Sequence, residues 1–177
     1  MLIGLAIVVP VASLLVRLAE GLLLLATSDD VPLRRARFPV GELLGTVARR
    51  FGAEVGEAAG ELDGDRLRLQ GALENLVANA LRHGAPPVRL DATREGDRVA
   101  LRVTDSGPGF PGDFLDHAFE RFTRGDAGRT EPGAGLGLAI AAAVARAHGG
   151  EATARNLRGG GAEVALVLPA LRGEARS

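Results

Sequence analysis

The sequence predicts an α+β fold: a two-layer α/β sandwich in which a mixed, mostly antiparallel sheet carries helices on one face. Three observations predict it. Residues 88–93 and 99–104 alternate apolar and polar around Glu95-Gly96-Asp97, the pattern of a hairpin. Glu151–Asn156 and residues 163–168 repeat that pattern around Gly159-Gly160-Gly161. Helix-period segments lie before and between the hairpins.

The elements follow in chain order. Residues 35–40 read as a short strand and 41–51 as a helix. Residues 53–63 are glycine-rich and acidic, the composition of two weak strands. Arg66–His83 is the clearest helix: Leu69, Leu73, Leu76, Val77 and Ala80 recur at helical spacing. Asp65 stands before it as an N-cap and Gly84 after it as a stop. A loop-rich stretch covers 105–132, with a short helix near 113–121. Residues 135–147 form a helix of small side chains suited to close packing. Residues 172–177 read as a disordered tail.

The N-terminal 30 residues are apolar but ambiguous. Residues 1–16 are almost wholly apolar, yet Pro10 interrupts them, and Arg17 and Glu20 follow before a second apolar stretch. A spanning helix needs about 20 apolar residues. A helix packing on a partner or on its own copy, a membrane segment and a signal peptide stay open as readings.

Composition excludes several classes. There is no cysteine, so disulfide scaffolds and cysteine-based metal or redox sites are absent. The net charge of −1 provides no basic field for nucleic acid, and none is expected as a partner. No lysine occurs anywhere. P-loop NTPases and ordinary protein kinases both place a lysine on phosphate, so neither is present in its standard form. Aromatic residues make up only 3%, which requires an aliphatic core.

Four features carry chemistry. On the central helix Asn75, Asn79, Arg82 and His83 fall within about 100° of one another, opposite the apolar stripe. Two amides, a guanidinium and an imidazole suit a magnesium–phosphate complex, because Mg²⁺ takes hard oxygen ligands and shares phosphates. A solvated polar face would look the same. Next, Asp105-Ser106-Gly107-Pro108-Gly109-Phe110 follows a strand. A carboxylate there can accept from an exocyclic amine, and the glycines let backbone approach a ligand; a tight turn is the plain alternative. Gly107, Gly109 and Gly112 also satisfy G-x-G-x-x-G, but Pro108 and Pro111 inside it and the absence of a following long helix argue against a dinucleotide site. The third feature is Phe119-Glu120-Arg121-Phe122. The fourth is Gly133-Ala134-Gly135-Leu136-Gly137-Leu138, glycines opening a helix whose free N–H groups favour phosphate. The polar stretch 123–132 between them has the composition of a lid.

In this order the four features resemble the N, G1, F and G2 boxes of the catalytic, ATP-binding domain of bacterial sensor histidine kinases. The likeness extends from about Val16 to Pro169, including Ala147-His148-Gly149-Gly150 and a run from Arg17 to Ala26 similar to the end of a dimerisation helix. The resemblance implies a Bergerat-type fold over 31–171, ATP and Mg²⁺ as ligands, and a role in two-component signal transduction. It implies Asn79 as the metal ligand with Asn75 beside it, and Arg82 and His83 toward phosphate. It further implies Asp105 on the adenine amino group and Gly107 and Gly109 in that wall. Phe119 and Phe122 would anchor the lid, and Gly133, Gly135, Leu136 and Gly137 would close it. Related ATPases carry a glutamate where Asn75 stands; an amide is no base, which implies presentation of ATP for transfer rather than rapid hydrolysis.

Implied partners are a dimerisation and phospho-acceptor domain, a response regulator and, through the N-terminal helix, a second copy. The implied location is the cytoplasm, or the cytoplasmic face of the inner membrane if residues 1–26 span it. An anti-sigma-type serine kinase, or a regulatory nucleotide-binding module without transfer, are the rival readings. The sequence departs from the family in three ways. Residues 51–67 are short for the usual pair of strands, residues 1–16 lack a charged coiled-coil surface, and no acceptor motif accompanies His83, His117 or His148. Self-phosphorylation by this chain alone is therefore not expected.

Overall fold

The computed structural model describes residues 32–120 and 136–171. The expected N-terminal helix and the expected tail lie outside the described residues. The element order is β1 (Ala36–Pro39), α1 (Val40–Phe51), β2 (Glu54–Ala58), β3 (Glu61–Gly64), α2 (Arg66–His83), β4 (Arg89–Glu95), β5 (Arg98–Thr104), α3 (Gly137–Ala147), β6 (Glu151–Asn156) and β7 (Ala162–Pro169). The main sheet has five strands in the order β2-β4-β5-β7-β6. Its β2–β4 pair is parallel and the rest are antiparallel, so the sheet is mixed and mostly antiparallel. The short stretch after α1 does supply two strands, but they part company: β2 edges the main sheet, while β3 pairs with β1 in a separate ribbon.

Each helix buries the side its sequence makes apolar. On α1, Val40, Leu43, Leu44 and Val47 are fully buried, and Gly52 ends the helix in the left-handed conformation, φ 69°. On α2, Leu69, Leu73, Leu76 and Val77 are buried while Asn75 and Asn79 stay half-buried on the other side. Asp65 caps α2 as expected: its carboxylate accepts from the Arg68 N–H at 3.2 Å. Leu138 to Ala145 of α3 are all buried. Alanines make that possible, letting α3 lie close to α2, β6 and β7. The core is aliphatic, and Phe38 is the only aromatic among the described residues that is buried in it. The short helix expected near 113–121 is only a 3-10 turn, Leu115–His117. So few residues cannot recover the cost of nucleating an α-helix, and Phe114 and Phe119 instead pin the segment to the core. Among the described residues no helix is long and apolar enough to cross a membrane.

One contact fixes α2 against α3. His148, just beyond α3, is 3% exposed. Its Nδ1–H donates to the Val144 carbonyl at 2.7 Å, and its Nε2 accepts from the Asp65 N–H at 2.9 Å. Only the neutral ring can do both. Burial pushes the His148 pKa below its ordinary 6.5; the Val144 hydrogen bond opposes this, Arg35 adds to it, and Asp65 and Arg68 act in opposite senses. The unfolded chain therefore binds a proton here more readily than the folded one. The stability that neutral His148 contributes is present above pH 6.5 and is lost as pH falls below it. Exposed His117, held up by its hydrogen bond to Glu120, works in the opposite sense. Between about pH 7.5 and 5.5 His148 should contribute a fall in melting temperature, so the slope of melting temperature against pH should be shallower in His148→Gln than in wild type. Thermal melts across that range check it; equal slopes in both proteins would remove His148 as the cause.

Candidate functional site

The site lies where α2 and β5 end side by side. Asp105 follows β5, and its N–H donates to the Ala162 carbonyl at 3.1 Å. Its carboxylate folds back, Oδ1 accepting from the Gly107 N–H at 2.8 Å. Ser106 N–H donates to the Ala85 carbonyl at 2.8 Å, tying this loop to the chain leaving α2. The approach is too close for side chains. A Cβ on Gly84 would sit 2.4 Å from the Asp105 carboxyl carbon, and one on Gly107 would sit 2.5 Å from the Gly84 Cα. The glycine after α2 thus serves space rather than backbone freedom; its φ of −94° suits any residue.

Asn79, His83, Gly84, Asp105, Gly109 and Phe110 line one cleft at this junction. Asn79 and His83 reach it from successive turns of α2. Asp105 is 9% exposed. With Oδ1 committed to Gly107, Oδ2 is the oxygen left for a ligand's N–H. Phe110 stacks on Phe114 with centroids 5.4 Å apart. Gly137, opening α3, faces the helix turn above: a Cβ there would lie 3.9 Å from the Cβ of Asn75.

The remaining expected residues divide. Arg82 is exposed at the end of α2 and does not line the cleft. Leu136 is 4% exposed and belongs to the core, and Phe119 packs against that core. Phe122, Gly133 and Gly135 lie outside the described residues. The G-x-G-x-x-G pattern opens no helix; a 3-10 turn follows it, and β5 is antiparallel to both neighbours. A larger hollow of about 400 Å³ sits on the open face of the sheet, away from all of these residues. Arg102 and Arg155 are balanced there by Glu95 and Glu163, with Arg155 Nε 2.8 Å from Glu163 and Arg102 paired to both carboxylates.

The donors suit a cation that arrives with its own ligands. Among the described residues no three His, Asp or Glu side chains cluster as a metal site. Asn79 offers a neutral amide oxygen, with Asn75 one turn away. Magnesium, which keeps waters and shares phosphate oxygens, fits so sparse a set.

Sequence reasoning missed two residues that build this place: Asn156 and Gly161. Gly161 N–H donates to the Gly107 carbonyl at 2.8 Å. Asn156 bonds both backbone groups of Phe110, at 2.7 and 2.9 Å. The signal for Gly161 was present in the glycine run, although that run reads only as a turn.

Comparison with known proteins gives a consistent picture. A family model described as histidine kinase-, DNA gyrase B-, and HSP90-like ATPase matches residues 64–172. The chain is 48% identical over 106 residues to the signal transduction histidine-protein kinase AfsQ2 of Streptomyces coelicolor, covering 59% of this chain and 20% of that protein. It is 44% identical over 111 residues to the sensor histidine kinase component HK1 of Mycobacterium tuberculosis, covering 63% of this chain and 65% of that one. The chain thus spans less than two thirds of either relative. Among solved structures, a mycobacterial sensor histidine kinase, MprB, superimposes with a TM-score of 0.65 at 30% identity, covering 76% of this chain and 98% of the other. The ATP binding domain of PrrB from Mycobacterium tuberculosis gives 0.63 at 28%, covering 78% and 98%.

Proposed function

Because the chain belongs to the histidine kinase-, DNA gyrase B-, and HSP90-like ATPase family, we propose that it is the ATP-binding catalytic domain of a two-component sensor histidine kinase. In this reading it holds Mg–ATP so that the γ-phosphoryl group passes to a histidine on a separate dimerisation domain. The observation that carries the proposal is the cleft that joins Asn79 and His83 of α2 to Asp105 beyond β5. Asp105 accepts from the adenine amino group, while guanine would oppose a carbonyl to the carboxylate. Gly107 and Gly109 shape that wall. Asn79 holds the magnesium ion with Asn75 beside it; His83 faces the phosphates from the cleft wall, and Arg82 reaches toward them from the exposed end of α2, outside that wall. Magnesium held there would supply neutralisation of phosphate charge. Phe119 and Phe122 anchor the lid, and Gly133, Gly135 and Gly137 allow it to close. Asn75 cannot deprotonate water, which favours transfer over hydrolysis. The partners are a dimerisation domain and a response regulator, with a second copy through residues 1–30. The location is the cytoplasm, or the cytoplasmic face of the inner membrane if residues 1–26 span it.

Incubation with γ-labelled ATP tests the transfer step. His148 is buried with both ring nitrogens engaged, so neither can attack phosphorus. His117 bonds Glu120 at 2.8 Å outside the cleft, and His83 lines the nucleotide cleft itself. The purified chain should therefore remain unlabelled. An added dimerisation domain carrying an acceptor histidine should gain acid-labile phosphate slowly, because an untethered partner lacks a high effective concentration. Stoichiometric acid-labile phosphate on the chain itself would show that it holds its own acceptor. No label on either protein would remove the transfer reading.

A further inference from the structure

The β6–β7 turn lies under the Asp105–Phe110 loop and holds it by three contacts. Gly161 N–H donates to the Gly107 carbonyl at 2.8 Å. The Asn156 side-chain amide donates to the Phe110 carbonyl at 2.9 Å, and its Oδ1 accepts from the Phe110 N–H at 2.7 Å. A Cβ on Gly109 would come within 2.6 Å of that same Oδ1, so the loop is pressed directly onto the amide. Phe110 and Asp105 both line the cleft, and the loop between them has no strand partner. Pro108 and Pro111 offer no N–H, and Gly109 sits at φ 81°, so this loop cannot extend the sheet. A side-chain amide answers an N–H and a C=O of one residue at once, as a neighbouring strand would.

We infer that Asn156 is a positioning residue that sets the base preference of the nucleotide cleft by acting as a one-residue strand partner to Phe110. The inference rests on the nucleotide reading proposed above. Asn156 touches no ligand in this scheme; it fixes Phe110 and, through the short loop, the carboxylate of Asp105. Without it the loop stays joined to the fold at Asp105 and Ser106, whose N–H groups donate to Ala162 and Ala85, and at Gly107, whose carbonyl accepts from Gly161. The loop's far end gains freedom, and the geometry that favours adenine over guanine loosens. Asn156 is exposed, so its removal costs the rest of the fold little. Asp at this position keeps an acceptor for the N–H but opposes a carboxylate to the Phe110 carbonyl.

The test compares wild type, Asn156→Ala and Asn156→Asp in two measurements. Amide hydrogen exchange on the nucleotide-free protein reports the clasp without reference to any ligand. The Phe110 N–H should exchange at least about tenfold faster in Asn156→Ala, with global melting nearly unchanged. Calorimetry with ATP and with GTP reports the consequence. Asn156→Ala should weaken ATP about tenfold and leave GTP unchanged, lowering the preference by the same factor. Asn156→Asp should also lose preference, because half a clasp still releases the Phe110 carbonyl. An unchanged Phe110 exchange rate would overturn the clasp, whatever the nucleotides do. Faster exchange with ATP and GTP weakened in parallel would overturn the role in base preference. Faster exchange in Asn156→Ala, alongside a wild type that binds neither nucleotide, would instead bring down the nucleotide reading, and the preference claim with it, while the clasp stood.

Discussion

Replacing Asn79 by alanine should abolish magnesium-dependent ATP binding and leave the fold standing. Asn79 is half-buried on the polar side of α2, while the packing of that helix depends on Leu69, Leu73, Leu76 and Val77, all at or below 2% exposure. Alanine is also the better helix former, so melting should be unchanged or slightly raised. The effect on the ligand is of a different size. Among the described residues no acidic cluster stands by to hold the cation. In the proposed reading the metal's protein contact falls to the amide oxygen of Asn79, with Asn75 one turn off the cleft's lining. A bond to a charged partner is worth about 1.5–3 kcal/mol, so losing it weakens Mg–ATP by at least about tenfold. Loss of the magnesium the ligand brings should deepen that toward no measurable binding. Calorimetry with and without Mg²⁺ separates the cases: the variant should respond to ATP no better with the ion than without. Unchanged affinity for Mg–ATP would take the metal away from Asn79.

What the sequence disclosed and withheld has a common cause. The helix Arg66–His83 was legible because its pattern is local: a cap at Asp65, an apolar period, and a stop at Gly84. Both hairpins were legible for the same reason, and Asp105 could be placed as soon as the strand before it was. Partner choice at long range was not legible. Nothing in residues 54–58 announces that β2 runs parallel to β4, or that residues 61–64 leave the main sheet to pair with β1. The buried role of His148 was not legible either, since its bonding partner Asp65 is 83 residues away. Asn156 looked like the last residue of a strand, and its partner Phe110 is 46 residues away.

Two glycines of neighbouring sequence should respond to the same substitution with opposite signs. Gly71 lies in the interior of α2 on its exposed side, and a Cβ there would meet nothing within 4 Å. Gly71→Ala removes backbone freedom from the unfolded chain and should stabilise the protein by about 0.5–1 kcal/mol. Gly84 also has a backbone conformation that alanine can adopt, φ −94°, so strain in the chain itself is not at issue. Its Cβ would stand 2.4 Å from both Cγ and Oδ1 of Asp105 and 2.6 Å from the Ala80 carbonyl oxygen. The carbonyl belongs to the helix and cannot move far, so the carboxylate must. Gly107 packs its backbone against Gly84 from the same side, which closes the other way out. Overpacking of this kind costs about 1–3 kcal/mol. It also pulls Oδ1 from the Gly107 N–H and turns the whole carboxylate from the cleft. Gly84→Ala should therefore lower the melting temperature by several degrees and weaken ATP at least about tenfold, the loss expected when a charged hydrogen-bond partner is removed. Melts and calorimetry on the two variants side by side decide it. If Gly84→Ala melts and binds ATP like wild type, the Asp105 carboxylate does not occupy the space that this glycine leaves, and its role at the base goes with it.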